Sequence, residues 1–464
     1  MLTEDTMAIS PIDGRYRKKT SSLRTHFSEA ALISFRIKIE ISYLHALAEC
    51  GIIPTLQKKE LNIFAKLKDV DALAIGRVKE IEKITHHDVK AIEYYLREEF
   101  EKNNLTYLIP FIHFAITSED INNLAYRSML AGGLQEVVFP SLKDVVEKLN
   151  SLIVNYVASP ILARTHGQAA IPTTFGKEIA VFVDRILLIL EELKDYKFHG
   201  KFSGAVGGYQ AMQLSFPKID WQKFSRKFVE SFGFNFVETA TQIAPADDLV
   251  KLFSIFYRIN SVFIGLNQDV WRYISDGWLL QKGKEKFVGS STMPQKINPI
   301  EFENSEGNLI LANSLLEAMM RKLPISRLQR DLSESTVLRN IGVIFAHCLL
   351  AYDSLSGGLA KLSLNEGVTI QALQNNYNIL TEAWQTLARK NGDQEAYEKI
   401  AKLAKNKNIT KEDWQALTEN MGEQLQNLTP EKYLGLSEKI ALDVSKRTED
   451  FFSKYSQYKL HKKD

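Results

Sequence analysis

From about residue 118 the chain carries apolar residues at helical spacing over stretches far longer than an ordinary helix. The runs cover about 118–157, 173–197, 246–281, 300–321 and 335–362, against a usual helix of ~11–12 residues. A helix of that length must bury an apolar stripe along its whole side, and another long helix is the simplest partner. Proline is 12 of 464 residues, about half its usual share of roughly 5%, so little interrupts the runs. Alternating strand patterns are scarce. The expected fold is all-α, with a central bundle of long helices.

The flanking segments differ. Residues 1 to about 28 are irregular and polar, with a turn at "SPIDGRY". Helical spacing covers Glu29 to Cys50, where Gly51 stops it, and again Lys58 to about Lys83. In "THHDVKAIEYYLREEF", Val89, Ile92, Leu96 and Phe100 form one stripe. Thr117 or Ser118 is the expected N-cap of the first long run, with Glu119 and Asp120 in its first turn. After about residue 364 the chain is richer in Lys, Glu, Asn and Gln and its helices shorten. Boundaries near 115 and 363 give three expected domains: N-terminal helical (1–115), central bundle (116–363) and small C-terminal helical (364–464).

Composition bounds the function. With 58 basic and 56 acidic residues the formal net charge is +2, which gives no general case for nucleic acid or an acidic membrane. A local basic site for a small anion stays open. Cys50 and Cys348 are far apart in apolar helical contexts, so a disulfide framework is not expected and a reducing cytoplasm is the simpler reading. No N-terminal apolar segment resembles a signal peptide. The most apolar run, "AVFVDRILLIL", is broken by Asp184 and Arg185 and is too short to span a bilayer.

Four polar islands interrupt the helices. "GSSTMPQKINP", Gly289 to Pro299, places Asn298 as an expected N-cap, Pro299 at the first helical position and Glu301 three residues after the cap. A helix N-terminus beside Lys296 suits an anion, and Gly283 and Gly289 bracket a loop that can close over one. "RTHGQAAIPTTFGKE" puts His166 in a loop ahead of a helix; a loop histidine is more often plain surface, but Arg164, Thr165, Gly167 and Gln168 are the small and hydrogen-bonding neighbours of a ligand site. "THHDVK" reads either as Thr85 or His86 capping a helix, with Asp88 in its first turn, or as a substrate-binding histidine. Adjacent side chains do not share a helix face, so metal is not expected. "SRLQRDLSESTVLRN" clusters Arg327, Arg330, Ser335, Thr336 and Arg339, as a charged turn or as a phosphate site. The loop Gly204 to Gln210, "GAVGGYQ", does not follow a strand and is no dinucleotide fingerprint.

"GSSTMPQKINPIEFE" closely resembles the signature of the fumarase/aspartase superfamily. "SPIDGRY", "THHDVKAIEYYL", "TSEDINN", "RTHGQAAIPTTFGKE" and "LPISRLQRDLSESTVLRN" resemble, in the same order, segments of its adenylosuccinate lyase family, in the longer bacterial form. The likeness covers nearly the whole chain and is weakest after about residue 365. Ala169, Gly208 and Gln210 depart from the family's common residues. The resemblance implies a three-domain, all-α homotetramer whose active sites take loops from three subunits, with no metal or organic cofactor. It implies anti β-elimination of fumarate from adenylosuccinate, giving AMP, and from SAICAR, giving AICAR, in purine synthesis.

Roles follow from the same resemblance. Ser290 is the base, helped by loop N–H donors and Lys296, since a lone serine hydroxyl is too weak. The carbanion, delocalised into the substrate carboxylate, gains charge as the proton leaves, and Lys296, Asn298 and the helix N-terminus meet it. His166 is the general acid, paired with Glu303. His87 is a substrate-binding histidine, grouped with His86 and Asp88. Arg15, Tyr16, Arg330, Ser335, Thr336 and Arg339 match nucleotide phosphate contacts, Thr117 and Ser118 contacts to the succinyl group, and Gln242 a further substrate contact. Argininosuccinate lyase, fumarase and aspartase share the signature; the arginine-rich segment suits a phosphorylated substrate. A non-catalytic scaffold would be free to lose Ser290, His166, Lys296 and Glu303, and this chain keeps all four.

Overall fold

Caps decide where the helical runs begin and where they break. The structure, a computed structural model, describes residues 4–282, 293, 296–405 and 409–455. Helix α1 (Glu29–Glu49) starts where Ser28 Oγ accepts the Ala31 N–H at 3.1 Å. The single run expected over 58–83 is two helices, α2 (Lys58–Lys68) and α3 (Ala72–Thr85). The break comes because Asp71 accepts the Ala74 N–H at 2.8 Å and opens a new helix. Helix α4 (Asp88–Lys102) is capped by His87, whose Nδ1 accepts the Lys90 N–H at 3.1 Å. The caps expected there were Thr85 or His86. His86 instead closes α3 with φ 51°, and a ring nitrogen does the work of a serine oxygen.

Helices α5 (Ser118–Gly133) and α6 (Phe139–Asn155) run on as one rod through a π turn at Leu134–Val138. Pro140 in the first turn of α6 has no N–H to give, and the widened turn accommodates it. Thr117 is the cap of α5, and Asp120 Oδ2 reaches back to the Thr117 N–H at 2.9 Å. A hairpin follows, β1 (Pro160–Thr165) against β2 (Gln168–Thr174). It then enters α7 (Phe175–Glu191), capped by Thr174. The remaining central helices are α8 (Asp247–Ser275), α9 (Ile300–Lys322), α10 (Ser333–Leu338) and α11 (Ile341–Leu359). The run expected at 335–362 is thus broken between α10 and α11.

The bundle is α6, α7, α8, α9 and α11, with α9 packed on both α8 and α11. Polar groups buried in it fix the register. Fully buried Asn260 on α8 donates to Asn313 Oδ1 at 3.0 Å and accepts from the Tyr352 hydroxyl at 2.7 Å. Asn267 donates to Ser305 Oγ at 3.0 Å. An unpaired buried amide is costly, so a slip along either helix is penalised. The Asn260–Asn313 and Asn267–Ser305 pairs make α9 antiparallel to α8, and the Asn308–His347 and Asn304–Ser354 pairs make it antiparallel to α11. By length and composition α8, and the run 333–359, would cross a membrane; the buried, hydrogen-bonded asparagines of α8 and its packing on α7 and α9 make it a bundle helix. Cys50 and Cys348 are both free. After residue 364 the helices are short, as expected, except the last, Ser437–Tyr455, whose 19 residues return to lie against α6 and α7.

One cap differs from expectation at the signature. Helix α9 begins at Ile300 with Pro299, not Asn298, at the cap position, and no side chain caps it. Glu301 does not reach back to Asn298; it pairs with Lys361 beyond the end of α11.

Candidate active site

At one end of the bundle, where α5 and α8 begin and α9 has ended, a chain of hydrogen bonds links residues from six parts of the sequence. The Arg330 guanidinium donates to Glu119 Oε1 at 2.9 Å and to Gln242 Oε1 at 3.1 Å. Gln242 is steadied by donating to the Ala205 carbonyl at 3.0 Å. Glu119 Oε1 also accepts from Asn122 at 2.8 Å, and Asn122 accepts from Arg36 Nε at 2.8 Å. Arg36 then pairs with Asp88 at 2.9 Å, and Arg339 reaches the same Asp88 oxygen at 3.0 Å. Burial works to raise the Asp88 carboxyl, but Arg36, the Val89 N–H and Arg339 outweigh it and hold it below its ordinary value.

A buried layer supports this cradle. Asp120, fully buried, accepts from the Thr117, Ser203 and Gly204 N–H groups at 2.9, 2.9 and 3.1 Å. It lies 3.1 Å from the equally buried Lys201 ammonium. Burial pulls Lys201 below the usual lysine range, opposed by Asp120. Beneath them Arg127 and Asp248 form a two-pronged pair, both contacts at 2.9 Å. Thr117, Ser118 and the 203–208 loop are therefore fixed from below. On the cradle's rim, Glu334 of α10 is buried. Burial first, and then the Glu119 charge, raise its carboxyl to about 7, against Arg330 and Lys322. Ser335 follows Glu334 on α10, half-buried, while Thr336 and Arg339 are exposed.

The second group sits at the other end of α9. His166 and Gly167 form the two-residue turn of the β1–β2 hairpin, with φ 53° and 74°, the values of the tight turn that matches strand twist. His166 was expected in a plain loop; its flanks are paired strands. Pro172 sits within β2, which an edge strand tolerates. The hairpin is held to the end of α8 by Arg164, whose guanidinium lies 5.5 Å from the Trp278 ring. Glu303, exposed on the first turn of α9, accepts from Trp271 Nε1 at 3.2 Å. The Tyr16 hydroxyl is 3.5 Å from Asn304, and Arg15 lies 6.0 Å from the Tyr16 ring. Lys296 is exposed and Asn298 half-buried. Ser290 lies outside the described residues.

The structure thus brings Asp88, Thr117, Ser118, Gln242, Arg330 and Arg339 into one region, with His86, His87, Ser335 and Thr336 on its flanks. It places His166, Glu303, Lys296, Asn298 and Tyr16 in another. The 23 residues of α9 separate the two by about 34 Å. Sequence reasoning missed Arg36, Asn122, Lys201 and Glu334 as parts of the site. Arg36 and Lys201 stand among apolar neighbours, and an acid beside an expected phosphate seat has the wrong sign. Among the described residues no group of three or more His, Cys, Asp or Glu is placed to hold a metal ion.

A lyase family model matches residues 14–313, and the model of the adenylosuccinate lyase C-terminal region matches residues 326–434. Adenylosuccinate lyase of Legionella pneumophila (strain Corby) is 42% identical over 444 residues, covering 93% of this chain and 97% of its own. That of Haemophilus influenzae is 40% identical over 452 residues, with 94% and 98% covered. That of Escherichia coli K12 is 41% identical over 444 residues, with 92% and 96% covered. Among solved structures, a fumarate lyase from Mesorhizobium sp. BNC1 superposes with a TM-score of 0.75 at 20% identity, over 92% of this chain and 97% of that one. The 3-carboxy-cis,cis-muconate lactonizing enzyme of Pseudomonas putida gives 0.73 at 18% identity, over 93% and 98%. These two share the all-α fold of this chain. On full-length identity of this kind, the chain belongs to the adenylosuccinate lyase family.

Proposed function

We infer that this protein is a C–N lyase that eliminates fumarate from adenylosuccinate, giving AMP, and from SAICAR, giving AICAR, in purine nucleotide synthesis. The observation that carries the substrate is the Arg330 cradle. Two arginines, an amide and the start of α5 converge beside hydroxyl-bearing residues, as a phosphorylated dianionic substrate needs.

In this reading Ser290 takes the proton next to the carboxylate, and Lys296 and Asn298 meet the charge that grows on that carboxylate. His166, presented at the tip of a hairpin, protonates the departing nitrogen, with Glu303 as its orienting carboxylate. Arg15, Tyr16, Arg330, Ser335, Thr336 and Arg339 hold the phosphate. His87, with His86 and Asp88 beside it, and Gln242 hold the nucleotide, and Thr117 and Ser118 the succinyl group. No cofactor enters the scheme.

One chain holds its two groups of site residues about a bundle's length apart. We therefore read the enzyme as a homotetramer whose sites combine loops from different copies. Apolar side chains left half-exposed on the long helices, Trp271, Ile310 and Leu311, support this, since a lone bundle would leave them in water. The three-part division at about 115 and 363 belongs to the same reading: every bundle helix of the central set lies between those limits. So does a cytoplasmic location.

The test is loss of the succinyl-purine absorbance when purified protein meets adenylosuccinate, with fumarate detected independently. Argininosuccinate, malate and aspartate are run beside it. Cleavage of adenylosuccinate alone is expected. Fumarate released only from another of these substrates would keep the elimination chemistry and remove the phosphate reading of Arg330 and Arg339.

A further inference from the structure

Seven residues other than glycine hold a left-handed backbone among the described residues: His86, Asn104, His113, Ala115, His166, Tyr209 and Leu328. That conformation costs an L side chain about 1–3 kcal/mol and persists only where the surroundings enforce it. Asn104 follows the end of α4, and asparagine tolerates the shape. His86 and His166 belong to the site already described, and Tyr209 and Leu328 stand in or beside its loops. His113 and Ala115 are left. They lie two residues apart, with φ 54° and 58°, and lead straight into Thr117 and the start of α5. What enforces them is α1. Fully buried Glu40 accepts from His113 Nδ1 at 2.5 Å. Its other oxygen, Oε2, is buried with no hydrogen-bond partner, so this carboxyl depends on the one ring. One turn further along the same face of α1, the buried Tyr43 hydroxyl donates to the Phe114 carbonyl at 2.8 Å. The Gly204 backbone lies against the turn as well: a Cβ added there would be 3.5 Å from the Ala115 carbonyl oxygen.

We propose that His113, clasped by Glu40, is a positioning residue: the pair holds the turn 113–116 in its left-handed form and so sets where Thr117 and Ser118 meet the succinyl group. The proposal deepens the lyase reading above and rests on it. A link with no such task would carry glycine or asparagine where the backbone turns left-handed. Here a histidine and an alanine stand there, and a buried carboxyl is committed to holding one of them. The Thr117 N–H is fixed from within α5 by Asp120 at 2.9 Å; the clasp fixes the side from which the chain arrives. Thr117 and Ser118 hold the half of the substrate that reacts, and a shift of about 1 Å there is enough to cost on the order of a hundredfold in rate.

The test is kcat and KM for adenylosuccinate, with AMP affinity by titration calorimetry, in the unaltered protein, H113A and H113N. Alanine removes the donor to Glu40. The asparagine amide reaches the place of Nδ1 and tolerates a left-handed backbone, so it restores the clasp. AMP lacks the succinyl group and reads the cradle alone. H113A is expected to lose on the order of a hundredfold in kcat/KM with AMP affinity little changed, and H113N to recover most of that loss. A variant that is merely unstable would lose both. Normal kcat/KM in H113A, an equal loss of AMP affinity, or no recovery in H113N each overturns the proposal while the unaltered protein still cleaves. Should H113A not fold, because it leaves a buried carboxyl without its partner, the double variant E40Q/H113A removes that carboxyl together with the clasp. It must show the same selective loss, and a normal kcat/KM there overturns the proposal too. Absence of adenylosuccinate cleavage by the unaltered protein would instead sink the lyase reading, and the proposal with it.

Discussion

The two ends of α9 are built in opposite ways. At the Arg330 end nearly every polar group has a partner within the chain: Asp120 takes three N–H groups and a lysine, Arg127 and Asp248 pair doubly, and Glu119 holds Arg330. At the His166 end His166, Lys296 and Glu303 are all exposed. His166 projects from a hairpin tip, Lys296 is in solvent, and Glu303 leans on a single indole. A preformed seat has its ordering cost settled before ligand arrives. An exposed acid, lysine and carboxylate do not yet form a catalytic set. The difference teaches that one chain carries a finished binding end and an unfinished chemical end, the contrast on which the proposed sharing of sites between copies rests.

The largest expected effect breaks the chemical end. Ser290→Ala and His166→Ala should each abolish turnover while leaving the assembly intact. If Ser290 and His166 enter one site from different copies, mixing the dead variants after subunit exchange should restore on the order of a quarter of the activity, since each site needs one intact copy of each. Native gels and size-exclusion would establish exchange. No recovery despite exchange would place both residues in the same copy's contribution.

The next effect sharpens the binding end. Arg330→Ala removes charge-assisted contacts worth about 2–3 kcal/mol, so KM for adenylosuccinate should rise on the order of a hundredfold with kcat much less affected. Arg330→Lys keeps the charge but not the fork between Glu119 and Gln242, and should recover only part of the loss. A kcat defect larger than the KM defect in Arg330→Ala would mean that Arg330 serves the chemistry rather than the seat.

Much of this was legible in the sequence, and the limits have physical causes. The helical runs, Thr117 as a cap and the gathering of Gln242, Arg330 and Arg339 follow from periodicity, cap chemistry and motif resemblance. The break at Asp71 and the cap at His87 were missed because local hydrogen bonds override an apolar pattern that runs straight through them. The hairpin under His166 was missed because Pro172 and Gly167 read as breakers, although an edge strand and a tight turn accept both. Arg36, Lys201 and Glu334 were missed because a buried charge is set by its partners in space, and no spacing along the chain reveals those partners.

The smallest effects come from one substitution made at both ends. Gly167 and Gly207 share a left-handed backbone, with φ 74° and 79°, so an alanine at either costs about 1 kcal/mol in backbone strain. Their surroundings differ. An added Cβ at Gly167 meets nothing within 4 Å, while at Gly207 it would lie 2.0 Å from the Ala240 carbonyl oxygen. That contact is with backbone and cannot be relieved by turning a side chain. The strand of chain it would push leads through Thr241 to Gln242, the partner of Arg330. Gly207→Ala should therefore lose ~3 kcal/mol or more in stability and raise KM as well. Gly167→Ala should lose only its backbone share. Thermal unfolding of the two variants side by side reads the difference. Equal losses would mean that the hairpin tip is as tightly enclosed as the cradle loop, and the contrast between a finished and an unfinished end would not stand.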